Sequence, residues 1–167
     1  MSISMYAASV GVYTRVLTNL STILDKAAAY AEERKIEPVA LLHARLAPDM
    51  FHLIRQVQIA TDMVKGTVAR LAGVEPPKYE DNEASFADLG ARIAKTLDYI
   101  KTFKPEQFEG AETRAVSIKL PHRQLDFPGG TEYLLGFGTP NVYFHYTMVY
   151  ALLRHNGLGV GKGDYLA

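Results

Sequence analysis

The sequence contains no cysteine and no tryptophan among its 167 residues. Without cysteine there are no disulfides, no thiolate metal ligands and no thiol nucleophile, a usage that fits a reducing compartment. Nor is there an excess of charge, with 18 basic residues against 18 acidic ones. No basic stripe with interleaved aromatics stands out, so nucleic acid is not an expected partner. The opening segment, MSISMYAASVGVYTR, lacks a basic start followed by an apolar run, so no secretory signal is read there and a cytoplasmic protein is expected. Charge is also missing from residues 133–153, about the length of a membrane span. Gly136, Gly138 and Pro140 interrupt that stretch, and Asn141, His145 and four tyrosines polarise it, so a buried core helix is expected rather than a span.

What is present is helical periodicity. Val10, Tyr13, Leu17, Leu20, Leu24 and Ala27 recur at helical spacing and predict a first long helix over 4–34. Pro38 opens a short helical piece by the first-position rule. A second helix is predicted over 48–71, starting at Pro48, stopping at Gly73 and carrying Met50, Leu53, Val57 and Val64 as its apolar stripe. Residues 75–82, with Pro76 and Pro77, read as a linker. Ser85 with Asp88 forms a capping box for a third helix ended by Pro105. Alternation of Val116, Ile118 and Leu120 with polar residues predicts a small hairpin, 114–120 with 124–127, turning at Pro121, His122 and Arg123. The fourth helix is predicted over 139–157, capped by Thr139, opened by Pro140 and stopped by Gly157. With so little charge and so many rings, it is expected to be the central element. The fold class is all-α: one domain over 1–167, long enough to bury roughly 70% of its unfolded surface, built as a four-helix bundle with a small β-hairpin between helices three and four.

The polar residues that break the apolar pattern are the candidate site. Asp49, His52 and Gln56, at i, i+3 and i+7, share one face of the second helix, and Arg45 extends that row if the helix runs back through Pro48. Asn141 and His145 share a face of the fourth helix. Of the five histidines, His145 and His155 are ten residues apart, about 15 Å along one axis, and cannot share an ion. Any metal site must lie between helices, and the set is His52, His145 and Asp49, which would leave open positions on zinc, nickel or iron. Two other readings stay open: a satisfied core network, and a metal-free pocket for a small molecule. In the pocket, Asp49 and His145 would be acid–base groups, and Arg45 would hold an anionic group beside His52, Gln56 and Asn141. Tyr143, Tyr146, Tyr150 and Arg154 form a second stripe on the fourth helix, read either as packing residues with wet hydroxyls or as a homodimer interface. The glycine-rich tail from Gly157 to Lys162 lacks the Ser or Thr of a phosphate loop; it is expected to pack back through Tyr165 and Leu166.

The phrases RLAPDMFHLIRQVQIA, PNVYFHYTMVYALLRHNG and GKGDYL resemble the domain-of-unknown-function family nineteen ninety-three, grouped with the DinB/YfiT-like four-helix bundles. The likeness covers nearly the whole chain. It implies a DinB-like bundle, often dimeric, with a site between helices. The wider superfamily holds a divalent metal through three histidines, one on the second helix and an HxxxH pair on the last. His52 matches the first of these and His145 the start of the pair, but Val149 stands where the second of the pair would be. An ion would then need Asp49, Asn141 or Gln56 as well. The expected function is that of a small-molecule-binding protein or an enzyme of unknown reaction. The alternatives are a metal-dependent hydrolase or thiol transferase, and a non-catalytic dimeric interaction protein.

Overall fold

The computed structural model describes residues 3–120 and 122–167. Helix α1 (Val12–Arg34) continues without a break from a π-helical stretch, Ala7–Gly11, and buries Tyr13, Leu17, Leu20, Ile23, Leu24 and Ala27 along one side. A short helix α2 (Pro38–Leu42) leads through an exposed turn to α3 (Leu53–Leu71). Helix α4 (Phe86–Lys101) starts at Ser85, whose hydroxyl accepts from the Asp88 N–H at 3.1 Å while the Asp88 carboxylate accepts from the Ala84 N–H. A 3₁₀ turn, Pro105–Phe108, precedes the antiparallel strands β1 (Val116–Leu120) and β2 (Arg123–Phe127), paired from Val116 with Phe127 to Leu120 with Arg123. Pro121, expected in the hairpin turn, lies outside the described residues. Two strands alone are marginal. These lean on the last rod through Phe127, whose ring sits 5.2 Å from Tyr133 and 5.5 Å from Phe137.

The helical turns that the sequence suggests over 131–137 join the last rod with no fresh start at Thr139. Helix α5 (Gly130–Tyr133), a π-turn (Leu134–Gly138) and α6 (Thr139–His155) run on with helical backbone angles throughout. Thr139 is therefore no cap; its hydroxyl bonds the Tyr13 hydroxyl at 2.9 Å and ties α6 to α1. Pro140 sits inside the rod because the turn before it is widened: the Thr139 N–H reaches Leu134 O, five residues back. At Gly138 this rod touches α3, where a methyl group would lie 2.8 Å from the Thr67 side chain.

Helix α3 packs on α6 and α4, and α1 closes the bundle against both. The central element is α3, not α6: 14 of its 19 residues are buried, against 6 of 17 in α6. A polar row on α3 is as covered as its apolar stripe, which hydrophobic patterning does not register. The final helix, α7 (Lys162–Leu166), folds back on α1 and α6. Tyr165 stacks on Tyr146 at 4.2 Å, and its carbonyl accepts from the Tyr146 hydroxyl and from Asn19. The centre of the tyrosine stripe is thus covered by the chain itself, with Tyr146 only 1% exposed. Leu166, expected as a second anchor, is exposed.

Three helices end alike. In each, an N–H beyond the helix end bonds the carbonyl five residues back: Ile36 to Ala31, Val74 to Ala69, Leu158 to Leu153. The residue before that N–H must take positive φ. Gly73 and Gly157 do so, but at the end of α1 it is Lys35, at φ 56°. A Cβ there costs about 1 kcal/mol relative to glycine. Replacing Lys35 with Gly is expected to raise the unfolding free energy by about 0.5–1 kcal/mol in urea titration.

Candidate functional site

Helix α3 begins at Leu53, five residues after Pro48, because His52 takes the cap. Its backbone is extended, and its ring Nδ1 accepts from the Arg55 N–H at 3.3 Å. Asp49 and Arg45 consequently lie in the exposed turn before the helix, off the face on which the sequence puts them. Arg45 donates to Met50 O, closing that turn. Asn141 donates to Phe137 O at 2.7 Å, one turn back on its own rod.

Gln56 and His145 do meet. Gln56 Oε1 lies 2.7 Å from His145 Nδ1, joining the first turn of α3 to the middle of α6. Gln56 Nε2 donates to Phe51 O at 3.1 Å, so its oxygen is the atom facing the imidazole. An acceptor there requires a proton on His145 Nδ1, which leaves Nε2 as a bare lone pair. Among the described residues Nε2 has no partner, yet no buried side-chain nitrogen or oxygen goes unpaired among them, so this nitrogen reaches the surface. The residue as a whole is only 8% exposed. Burial, with Arg55 nearby, pushes its pKa down from 6.5 to about 4. His52 is lowered too, by burial and by Arg45, His43 and Arg55. The His43 and His52 rings lie 5.3 Å apart, the Phe144 ring lies 5.1 Å from His145, and Phe51 and Phe144 are each 53% exposed.

The donor set does not fit a metal. With Nδ1 accepting at the helix cap, neutral His52 carries its proton on Nε2; ligation there would move that proton to Nδ1 and break the cap. Asp49 is out in the turn, and no group of three or more His, Cys, Asp or Glu among the described residues could hold an ion.

Sequence reasoning missed a second polar cluster. Arg92 of α4, 4% exposed, donates to Thr61 Oγ1, Asp62 Oδ1, Glu83 Oε1 and Glu80 O at 2.8–3.0 Å, and lies 3.1 Å from Asp81 Oδ1. Burial opposes its charge, but Glu83, Asp62 and Asp81 outweigh that and hold the guanidinium firmly protonated. Lys65, also buried, pairs with Asp62 and sits 4.4 Å from the Tyr79 ring; Lys95 is 4.3 Å from the same ring. The apparent linker is therefore pinned onto α3 and α4, with a polar groove of about 580 Å³ between its Lys78, Tyr79 and Asn82 and the Lys95 side of α4. The signal available was the spacing Arg55, Gln58, Asp62, Lys65 on α3, a polar stripe of helical period facing a segment with four acids.

Both clusters have measurable consequences. Arg92→Met would strand Glu83, whose side chain is 9% exposed, beside Asp62 and Asp81; a loss of about 3–5 kcal/mol is expected, read as a lower urea midpoint. For His145, both folded and unfolded chains are neutral above pH 6.5. As pH falls, the unfolded chain takes up the proton first, and stability is lost until the folded ring titrates near pH 4. His145→Asn keeps a donor for Gln56 but cannot titrate. It should lack that part of the decline, up to about 3 kcal/mol between pH 7 and 4.

No curated protein matches the chain. A crystal structure of a DinB family member protein from Shewanella denitrificans is 43% identical to it, with a TM-score of 0.89, covering 98% of this chain and 92% of that one. That likeness is to a helical bundle of the same architecture. The match to the family described as a domain of unknown function (DUF1993) spans residues 5–166, and the chain belongs to that family.

Proposed function

We propose that the chain is a small-molecule-binding protein, with its site where the first turn of α3 meets α6. One observation carries this reading: His145 is buried, neutral and held in a single tautomer, yet its Nε2 lone pair has no partner among the described residues and is open to the surface. A fully satisfied core histidine would have both nitrogens occupied. A lone pair fixed in direction, with the exposed Phe144 ring 5.1 Å from the imidazole and exposed Phe51 at the start of α3, supports recognition of an apolar molecule with one hydrogen-bond donor. His52, with its proton on Nε2, supplies a donor at the start of α3. A pKa near 4 makes His145 a weak base at neutral pH, which favours binding over proton abstraction. Asp49, in the exposed turn, is the weaker candidate for an acid–base group.

A second reading, a non-catalytic dimer, is favoured by the exposure of Phe51, Phe144 and Leu46, which a partner copy would cover. Light scattering of Phe144→Glu separates the two: a drop in mass supports the dimer.

The site reading is tested with a fragment library screened by saturation-transfer NMR. Fragments are expected to bind the wild type and to lose binding in His145→Asn, while the unfolding free energy at pH 7 stays within about 1 kcal/mol because the Gln56 bond is kept. Fragments that bind both proteins equally, or none that bind at all, would refute it.

A further inference from the structure

We infer that the ligand of the His145 end is a small organic anion, whose carboxylate or equivalent group takes Arg55 away from Asp81; the inference rests on the small-molecule reading of that end.

Arg55 is the residue before Gln56 in the first turn of α3. Its guanidinium lies over the Phe51 ring, 5.9 Å from the centroid, and its backbone N–H holds the His52 ring. Its charge acts on both His52 and His145. Its acidic partner is Asp81, and that pair is open to water on both sides, with side chains 36% and 38% exposed. An ion pair so exposed is weakly held.

Asp81 does not depend on Arg55 for its own compensation. Its other oxygen lies 3.1 Å from Arg92, which is 2% exposed at the side chain and stays in place through Glu83 and Asp62. One carboxylate thus bridges a buried, permanent guanidinium and an exposed, releasable one. When an anion takes Arg55, Asp81 still has Arg92. The turn before the helix adds the cation of Arg45, which is bonded only to a carbonyl among the described residues, and the His43 ring; Asp49 is the acid there. Three features then describe one ligand: an anionic head for Arg55, an apolar body for Phe51 and Phe144, and an O–H or N–H for His145 Nε2. Arginine suits the head because its planar fork accepts a carboxylate through two bonds.

The probes are 3-phenyllactate, which has all three features, and its methyl ester, which lacks only the charge. Each is titrated against the wild type, Arg55→Gln and Asp81→Asn at two salt concentrations. Phenyllactate is expected to bind the wild type roughly ten-fold more tightly than the ester, and this advantage should vanish in Arg55→Gln and shrink with added salt. Asp81→Asn should tighten phenyllactate binding, since it removes the competitor for Arg55; a merely structural role for Asp81 predicts weakening. Salt dependence in the wild type decides the matter if a variant fails to fold. Equal binding of acid and ester, both lost in His145→Asn, would overturn the anion and leave the site standing. Failure of both probes to bind the wild type overturns this inference, and the fragment screen then judges the site.

Discussion

A guanidinium removed from water must be matched, and the matching of Arg92 organises much of this molecule. Its donors reach back to Thr61 and Asp62 on α3 and out to Glu80, Asp81 and Glu83 in the segment that joins α3 to α4. A buried charge left unpaired costs several kcal/mol, so the segment cannot leave α4 without a penalty. That single requirement turns a proline-containing connection into a fixed wall of the bundle. It also sets the position of Asp81, whose other oxygen meets the exposed Arg55, the residue before Gln56.

The second constraint is closeness between α3 and the last rod. Gly138 admits the Thr67 side chain, Gln56 bonds His145, and Tyr13 bonds Thr139 from the α1 side. The π-turn serves both needs, widening the helix so that Pro140 is tolerated and shifting the residues after it relative to those before. The Gln56 amide has its two ends occupied by different partners, one of them a backbone carbonyl, so the imidazole has one orientation and one tautomer. What is left over, a single lone pair at the surface, is a product of that packing rather than of any motif.

The parts of the site that are legible in the sequence are those one helix controls. His52, Gln56 and His145 stand out because each interrupts an apolar stripe, and of these Gln56 and His145 meet. Extending a helical row through Pro48 groups Arg45 and Asp49 with them, but the His52 ring caps the helix and ends the row there. The tyrosine stripe reads as an outward face, whereas Tyr165, nineteen residues later, covers Tyr146. No local rule could weigh those outcomes, since each depends on a group distant in the chain or on a side chain competing for a backbone N–H.

By itself, then, the sequence determined the periodic rods, their glycine stops, the hairpin and the four-helix architecture, because these arise from backbone geometry and from apolar spacing within a few turns. Only the tertiary structure decided that α3 is the enclosed helix, that the linker is bound down by Arg92, and that His145 presents Nε2 rather than Nδ1. Those depend on desolvation: which polar groups lose water is set by what packs over them, and that is a property of the assembled bundle.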